Sequence, residues 1–128
     1  MNLLLDTHVL LWALSDAGQL AERAAAELAE EDNHRWFSPI TAWEITMLVR
    51  KEKIRLPRPV EEWFPWVRRE FPVQEAPITS AIAVRAGAMP GDPADAFLVA
   101  TAIVSGFTLV TADQRLLDLE GVDTLPAS

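Results

Sequence analysis

Apolar and polar positions along this chain fall into blocks whose period switches between that of a strand and that of a helix. Leu3-Leu4-Leu5 is a short, wholly apolar run followed at once by Asp6-Thr7, the pattern of a buried strand that ends in a helix cap. Residues Val9–Leu14 and Leu20–Glu31 predict helices, the second rich in the helix formers Ala and Glu. Arg35-Trp36-Phe37 predicts a second strand. Ser38-Pro39 then opens a helix reaching about Glu52, with Ser as cap and Pro in its first position. Pro57 and Pro59 interrupt, and Val60–Phe71 predicts an amphipathic helix strained or broken at Pro65. Val73–Ala76 predicts a short strand and Ser80–Met89 a helix. After the Pro90-Gly91 turn, Asp92-Pro93 caps a buried helix ending near Gly106. Phe107–Val110 predicts a strand, Gln114–Leu119 a short helix and Val122–Leu125 a last strand. Strands alternating with helices indicate the α/β class, a small and mostly parallel sheet flanked by helices. No internal repeat, linker or low-complexity segment divides residues 1–128, so one domain is expected.

Four acidic residues disturb this pattern. Asp6 ends the first apolar run, Glu44 lies inside Ile40–Val49, Asp95 opens the apolar stretch Ala96–Val104, and Asp113 follows Phe107–Ala112. In folds of this class the ligand crevice lies beyond the carboxyl ends of the strands, where both Asp6 and Asp113 fall. Each aspartate also has an ordinary structural role. Asp6 and Asp113 suit helix caps, Asp92 caps the helix beginning at Pro93, and Asp95 near that helix's positive end is favoured by its dipole. Glu44 cannot cap, because it sits mid-helix on the stripe shared with Ile40 and Leu48. It needs either a buried ion pair with an arginine or a metal. Carboxylates gathered on apolar scaffolding repel one another and lose hydration, and a hard divalent cation, Mg2+ or Mn2+, relieves both. Thr7 and Thr111 stand beside Asp6 and Asp113, where their hydroxyls can position a carboxylate or a water, and His8 is placed to reach a substrate.

Composition narrows the chemistry. The chain has 128 residues, half of them hydrophobic, which supports a real core. It has no cysteine and only two histidines, His8 and His34, which excludes disulfides and thiolate metal sites and disfavours a typical zinc site. The opening Met1-Asn2-Leu3-Leu4-Leu5-Asp6 lacks a basic region before a long apolar one, and no apolar run approaches the ~20 residues of a membrane span. A soluble cytoplasmic protein with no membrane contact is expected. The net charge of −8 argues against a polyanionic partner until its distribution is considered. Residues 50–69 hold seven cations against three acids, a local +4, so the remainder carries −12. Such a segment can serve a polyanion or an acidic partner, or be an ordinary solvated surface.

Four stretches, taken together and in order, resemble the PIN domain, and more narrowly the VapC-type ribonuclease toxins of bacterial toxin–antitoxin pairs. They are Leu4–Trp12, Ser38–Ile45, Asp92–Ala102 and Leu109–Asp113. The middle, Lys53–Met89, matches only in helical character. The resemblance implies a single PIN-like domain with an acidic pocket, in which Asp6, Glu44, Asp95 and Asp113 hold metal and Asp92 lies close by. It also implies a homodimer and a cognate antitoxin that blocks the pocket. Similar proteins often carry Arg after the second motif aspartate, where this chain has Ala96, so any help from that Arg in orienting Asp95 is missing.

The expected activity is metal-dependent hydrolysis of an RNA phosphodiester. The ion would polarise a phosphoryl oxygen, and a carboxylate not bound to it, such as Asp113, would orient or deprotonate the attacking water. Arg50, Lys51, Lys53, Arg68 and Arg69 are candidates to hold RNA phosphates. Trp63 or Trp66 is placed for base stacking, against the ordinary alternative of core or dimer packing, and the Trp63–Trp66 segment is an expected partner surface. Two alternatives remain: a non-catalytic PIN-like binding module, and a receiver-like signalling domain. The latter would want paired acids after its first strand and a late lysine, whereas Asp6 stands alone and the last lysine is Lys53. A haloacid-dehalogenase phosphatase would need Asp where His8 stands. Because crowded carboxylates disfavour the cation-free fold, millimolar Mg2+ or Mn2+ should raise the thermal melting temperature by mass action, less so in Asp6→Asn. Calorimetry showing no shift in either protein would count against a shared metal site.

Overall fold

The computed structural model describes residues 1–128, and at its centre five strands pair in parallel: β1 (Asn2–Leu5), β2 (His34–Phe37), β3 (Val73–Glu75), β4 (Thr108–Thr111) and β5 (Thr124–Pro126). Their order is β3-β2-β1-β4-β5. The helices are α1 (Thr7–Ser15), α2 (Glu22–Ala29), α3 (Pro39–Arg50), α4 (Val60–Glu70), α5 (Ser80–Gly87), α6 (Pro93–Ser105) and α7 (Gln114–Leu117), with a 3-10 turn, Ala17–Gln19, before α2. The receiver-like alternative fails here, since that doubly wound sheet has the order 2-1-3-4-5.

The all-apolar β1 explains the layering. Leu3 and Leu5 point to one face and join Val9 and Leu10 of α1, Ile45 of α3, Trp63 and Val67 of α4, and Val110 of β4. Leu4 points to the other face, with Leu109 of β4 and Leu98, Val99 and Ala102 of α6. A strand buried on both faces has no polar side, so a continuous Leu run is the composition it requires. Helix α6 buries seven of its residues, and α5 packs Ile82 and Ala86 against its Ala96 and Ala100. No helix is long and apolar enough to cross a membrane.

Boundaries shift for local reasons. Helix α1 starts at Thr7, because Asp6 caps it immediately. Helix α2 starts late, at Glu22, since the chain is taken up by the 3-10 turn and Ala21 offers no side-chain cap. Helix α4 runs unbroken through Pro65, contrary to the expected break. Pro65 removes only the bond to the carbonyl of Glu61, on the exposed side, while Trp63 and Val67 anchor the turns on either side in the core. Phe64 packs on Phe37 and Trp63, and Trp66 packs on Arg58 and Phe71, so Trp63 is taken by the core while Phe64 and Trp66 are half-buried and Pro65 is exposed. The fully buried positions of α3 are Thr41 and Ile45, which puts Glu44 on the flank of the core stripe rather than its centre.

Helix α3 ends in a Schellman turn, with Lys53 N–H donating to the Leu48 carbonyl at 2.9 Å and Glu52 N–H to that of Val49 at 3.0 Å. Its left-handed residue is Glu52, at φ 58°, where Gly carries no Cβ penalty. Glu52→Gly should therefore stabilise the fold by about 0.5–1 kcal/mol, seen as a higher urea midpoint at unchanged slope. A lower midpoint would show that the Glu52 side chain has a compensating role.

Candidate active site

The direction of strand order reverses between β1 and β4, which opens a crevice at their carboxyl ends. Asp6 extends the β1–β4 ladder, its N–H donating to the Val110 carbonyl at 3.0 Å, and its own carbonyl then accepts from Leu10 N–H as α1 begins. Both carboxylate oxygens are engaged: Oδ1 accepts from Thr7 N–H and Oδ2 from the Thr111 hydroxyl, each at 2.7 Å. The Thr111 hydroxyl oxygen in turn accepts from Asp113 N–H at 3.1 Å. On the other side, the Thr7 hydroxyl donates to Glu44 Oε1, with the Thr41 hydroxyl 3.5 Å from that of Thr7. Thr7, Thr41 and Thr111 are all buried. Through Thr7, whose N–H holds Asp6 and whose hydroxyl holds Glu44, and through the Thr111 hydroxyl, hydrogen bonds tie Asp6, Glu44 and the backbone of Asp113 together. Glu44 has no arginine partner, and Arg115 makes the only ion pairs in the chain.

The remaining acids arrive on helix starts. Asp92 caps α6, its Oδ1 accepting from Ala94 N–H at 2.8 Å and Asp95 N–H at 3.4 Å. Asp95 sits in the first turn, and its pKa is pushed up from an ordinary 3.8 to about 6. Burial is the main cause, followed by the charges of Asp92 and Asp6; Arg115 partly offsets them and Asp113 adds to them. Asp113 caps α7 through Arg115 N–H at 2.9 Å. Its carboxyl is held below the usual range by the Arg115 guanidinium, which reaches Oδ2 at 2.7 Å and Oδ1 at 3.2 Å.

These donors suit a hard divalent ion: they are all oxygen and all acidic, and burial together with their mutual repulsion raises Asp95. As the side chains stand, no three acidic or histidine groups are gathered into one cluster. Asp6 and Glu44 each accept from a threonine hydroxyl, and Asp113 pairs with Arg115.

Of the expected phosphate-holding cations, Arg68 and Arg69 line an open cleft of about 610 Å³ with Phe37, Ala42, Phe64 and Glu75, along the same carboxyl edge of the sheet. Arg50 ends α3, roughly 9 Å along the axis from Glu44 at 1.5 Å per residue, and Lys51 and Lys53 follow in the turn after it. Trp63 is buried and one face of Trp66 is covered by Arg58, so Trp63 is excluded as a stacking surface and Trp66 has one face occupied. His8 is exposed and stacks loosely on Trp12. Two residues passed unnoticed in the sequence: Thr41, three before Glu44 and on the same helical face, and Arg115, two after Asp113.

The family model of the PIN domain matches residues 3–122. The chain is 36% identical over 119 residues to Ribonuclease VapC22 of Mycobacterium tuberculosis, covering 90% of this chain and 89% of that one. Among solved structures, VapBC2 from Rickettsia felis bound to a promoter DNA fragment aligns over 100% of both chains with a TM-score of 0.73 at 14% identity. VapBC-1 from nontypeable Haemophilus influenzae aligns over 98% of both at 0.69 and 14%. At such identities these structures speak for the fold alone.

Asp95 gives a pH signature. Its folded pKa lies above its unfolded one, so its stabilising contribution is fully present below pH 3.8 and is lost as pH rises through about 6. Asp113 shifts the other way and titrates below 3.8, outside this window. In EDTA, Asp95→Asn should melt higher than the parent at pH 7, with the gap closing towards pH 4. A constant gap would show that Asp95 carries no charge penalty.

Proposed function

Because the chain belongs to the PIN domain family, we propose that it is a metal-dependent endoribonuclease and the toxin of a toxin–antitoxin pair. The observation that carries this is the hydroxyl-braced carboxylate crevice at the reversal of strand order, on a chain more than one third identical to a ribonuclease. We read residues 1–128 as its single catalytic domain, acting on RNA in the cytoplasm.

Asp6, Glu44 and Asp95 would hold the ion, joined by Asp113 once it parts from Arg115. Mg2+ or Mn2+ bound there supplies positive charge to a phosphoryl oxygen and acidifies water. The chain's own residues supply position. The Thr7 and Thr111 hydroxyls fix the carboxylate oxygens of Glu44 and Asp6, limiting their rotation. Asp92 holds the first turn of α6 and so aims Asp95. Where it is not bound to the ion, Asp113 is suited to orienting or deprotonating the attacking water. The cleft bearing Arg68 and Arg69 offers the phosphates flanking the reacting one a path towards the crevice. Homodimer and antitoxin contacts find large apolar side chains at the surface in Trp43 of α3 and Val84 of α5.

Purified protein should cut RNA in Mg2+ or Mn2+ and not in EDTA, assayed on structured and unstructured RNAs. Glu44→Gln should slow cutting at least about 100-fold. Thr111→Val, which keeps shape but frees Asp6 Oδ2, should weaken activity or metal affinity by about 10–100-fold. No cutting of any RNA in any metal would turn the assignment to a non-catalytic binding module.

A further inference from the structure

We propose that Arg115 exchanges partners: it pairs with Asp113 and Asp95, competes with a divalent ion for those carboxylates, and once displaced takes the phosphodiester of the substrate. This rests on the ribonuclease reading above.

Arg115 makes the only ion pairs in the chain, and both are with acids of the crevice. Its guanidinium presents Nη2 to Asp113 Oδ2 at 2.7 Å and Nε to Asp113 Oδ1 at 3.2 Å, a two-pronged grip, while Nη2 lies 3.5 Å from Asp95 Oδ2. The same planar fork matches a phosphate. Nothing else holds the side chain, which is 77% exposed, against 26% and 28% for its two carboxylate partners. The pairs are therefore of the weak, solvent-screened kind that a divalent charge can replace.

Room for the movement exists. A cleft of about 160 Å³ lies between the start of α6 and α7, lined by Gly91, Asp92, Asp95, Val99, Arg115 and Leu116 among others. The arginine can withdraw along the rim without leaving the crevice. No neighbouring residue can take over its position, since Ala96 is buried against α5 and the basic segment 50–69 is on other elements. Without a cation at this rim, a phosphodiester entering a crevice lined by Asp92, Asp95 and Asp113 would meet mainly negative charge.

The test uses Arg115→Ala and Arg115→Lys in the full chain, neither of which disturbs the core. Titration calorimetry with MnCl2 should show Arg115→Ala binding roughly two- to fivefold tighter than the parent, the strength of an exposed ion pair, with Arg115→Lys between them. On an RNA oligonucleotide, Arg115→Ala should raise KM about tenfold or more, and Arg115→Lys less. Metal affinity unchanged or weakened in Arg115→Ala overturns the competition. Tighter metal with unchanged KM overturns the phosphate contact. Should the parent cut no RNA, the ribonuclease reading falls, while the manganese titration still decides the competition.

Discussion

Pairing β1 against β4 in parallel sets Leu5 beside Val110, and that register delivers Asp6 and Thr111 from the sheet edge within one hydrogen bond of each other. The bond could not survive a shift of one residue, because the side-chain period of a strand is two and a slip would turn Leu3, Leu4 and Leu5 to the wrong faces. The apolar layers on both sides of β1 therefore fix the carboxylate more firmly than any contact in the crevice. From Asp6 the order spreads outward, through Thr7 to Glu44 and through Thr111 to the backbone of Asp113.

Three of the acids are helix caps as well as crevice residues. Asp6, Asp92 and Asp113 each satisfy backbone N–H groups that α1, α6 and α7 would otherwise leave unpaired. The two roles are compatible because parallel strands followed by helices put helix starts at the same edge where the crevice opens. Capping explains how the fold tolerates so many negative charges in one place, since each aspartate stabilises a helix while it repels its neighbours. Asp95 has no cap to make; burial first, and then the charges of Asp92 and Asp6, raise its pKa.

Charge is divided between regions. The crevice is acidic with Arg115 as its one cation, and Arg68 and Arg69 flank a separate cleft on the same edge. Glu61 and Glu75 line that cleft as well, so its two arginines are balanced by two acids, whereas the crevice itself is acidic.

The sequence by itself determined the class of fold and most of its elements. The leucine run of β1, the Ser38-Pro39 and Asp92-Pro93 starts and the apolar stretch of α6 are local signals whose physics acts within a few residues. It also determined which acids stand at strand ends. Tertiary structure decided the rest. Helix α4 passes through Pro65 because Trp63 and Val67 are anchored by residues far away in sequence. Glu44 finds a threonine rather than an arginine because α3 is rotated to bury Thr41 and Ile45. Trp63 is consumed by the core, and Arg115 reaches Asp95 from twenty positions along the chain. Those outcomes depend on which surfaces meet once the sheet has closed, and periodicity read along one segment carries no record of what that segment packs against.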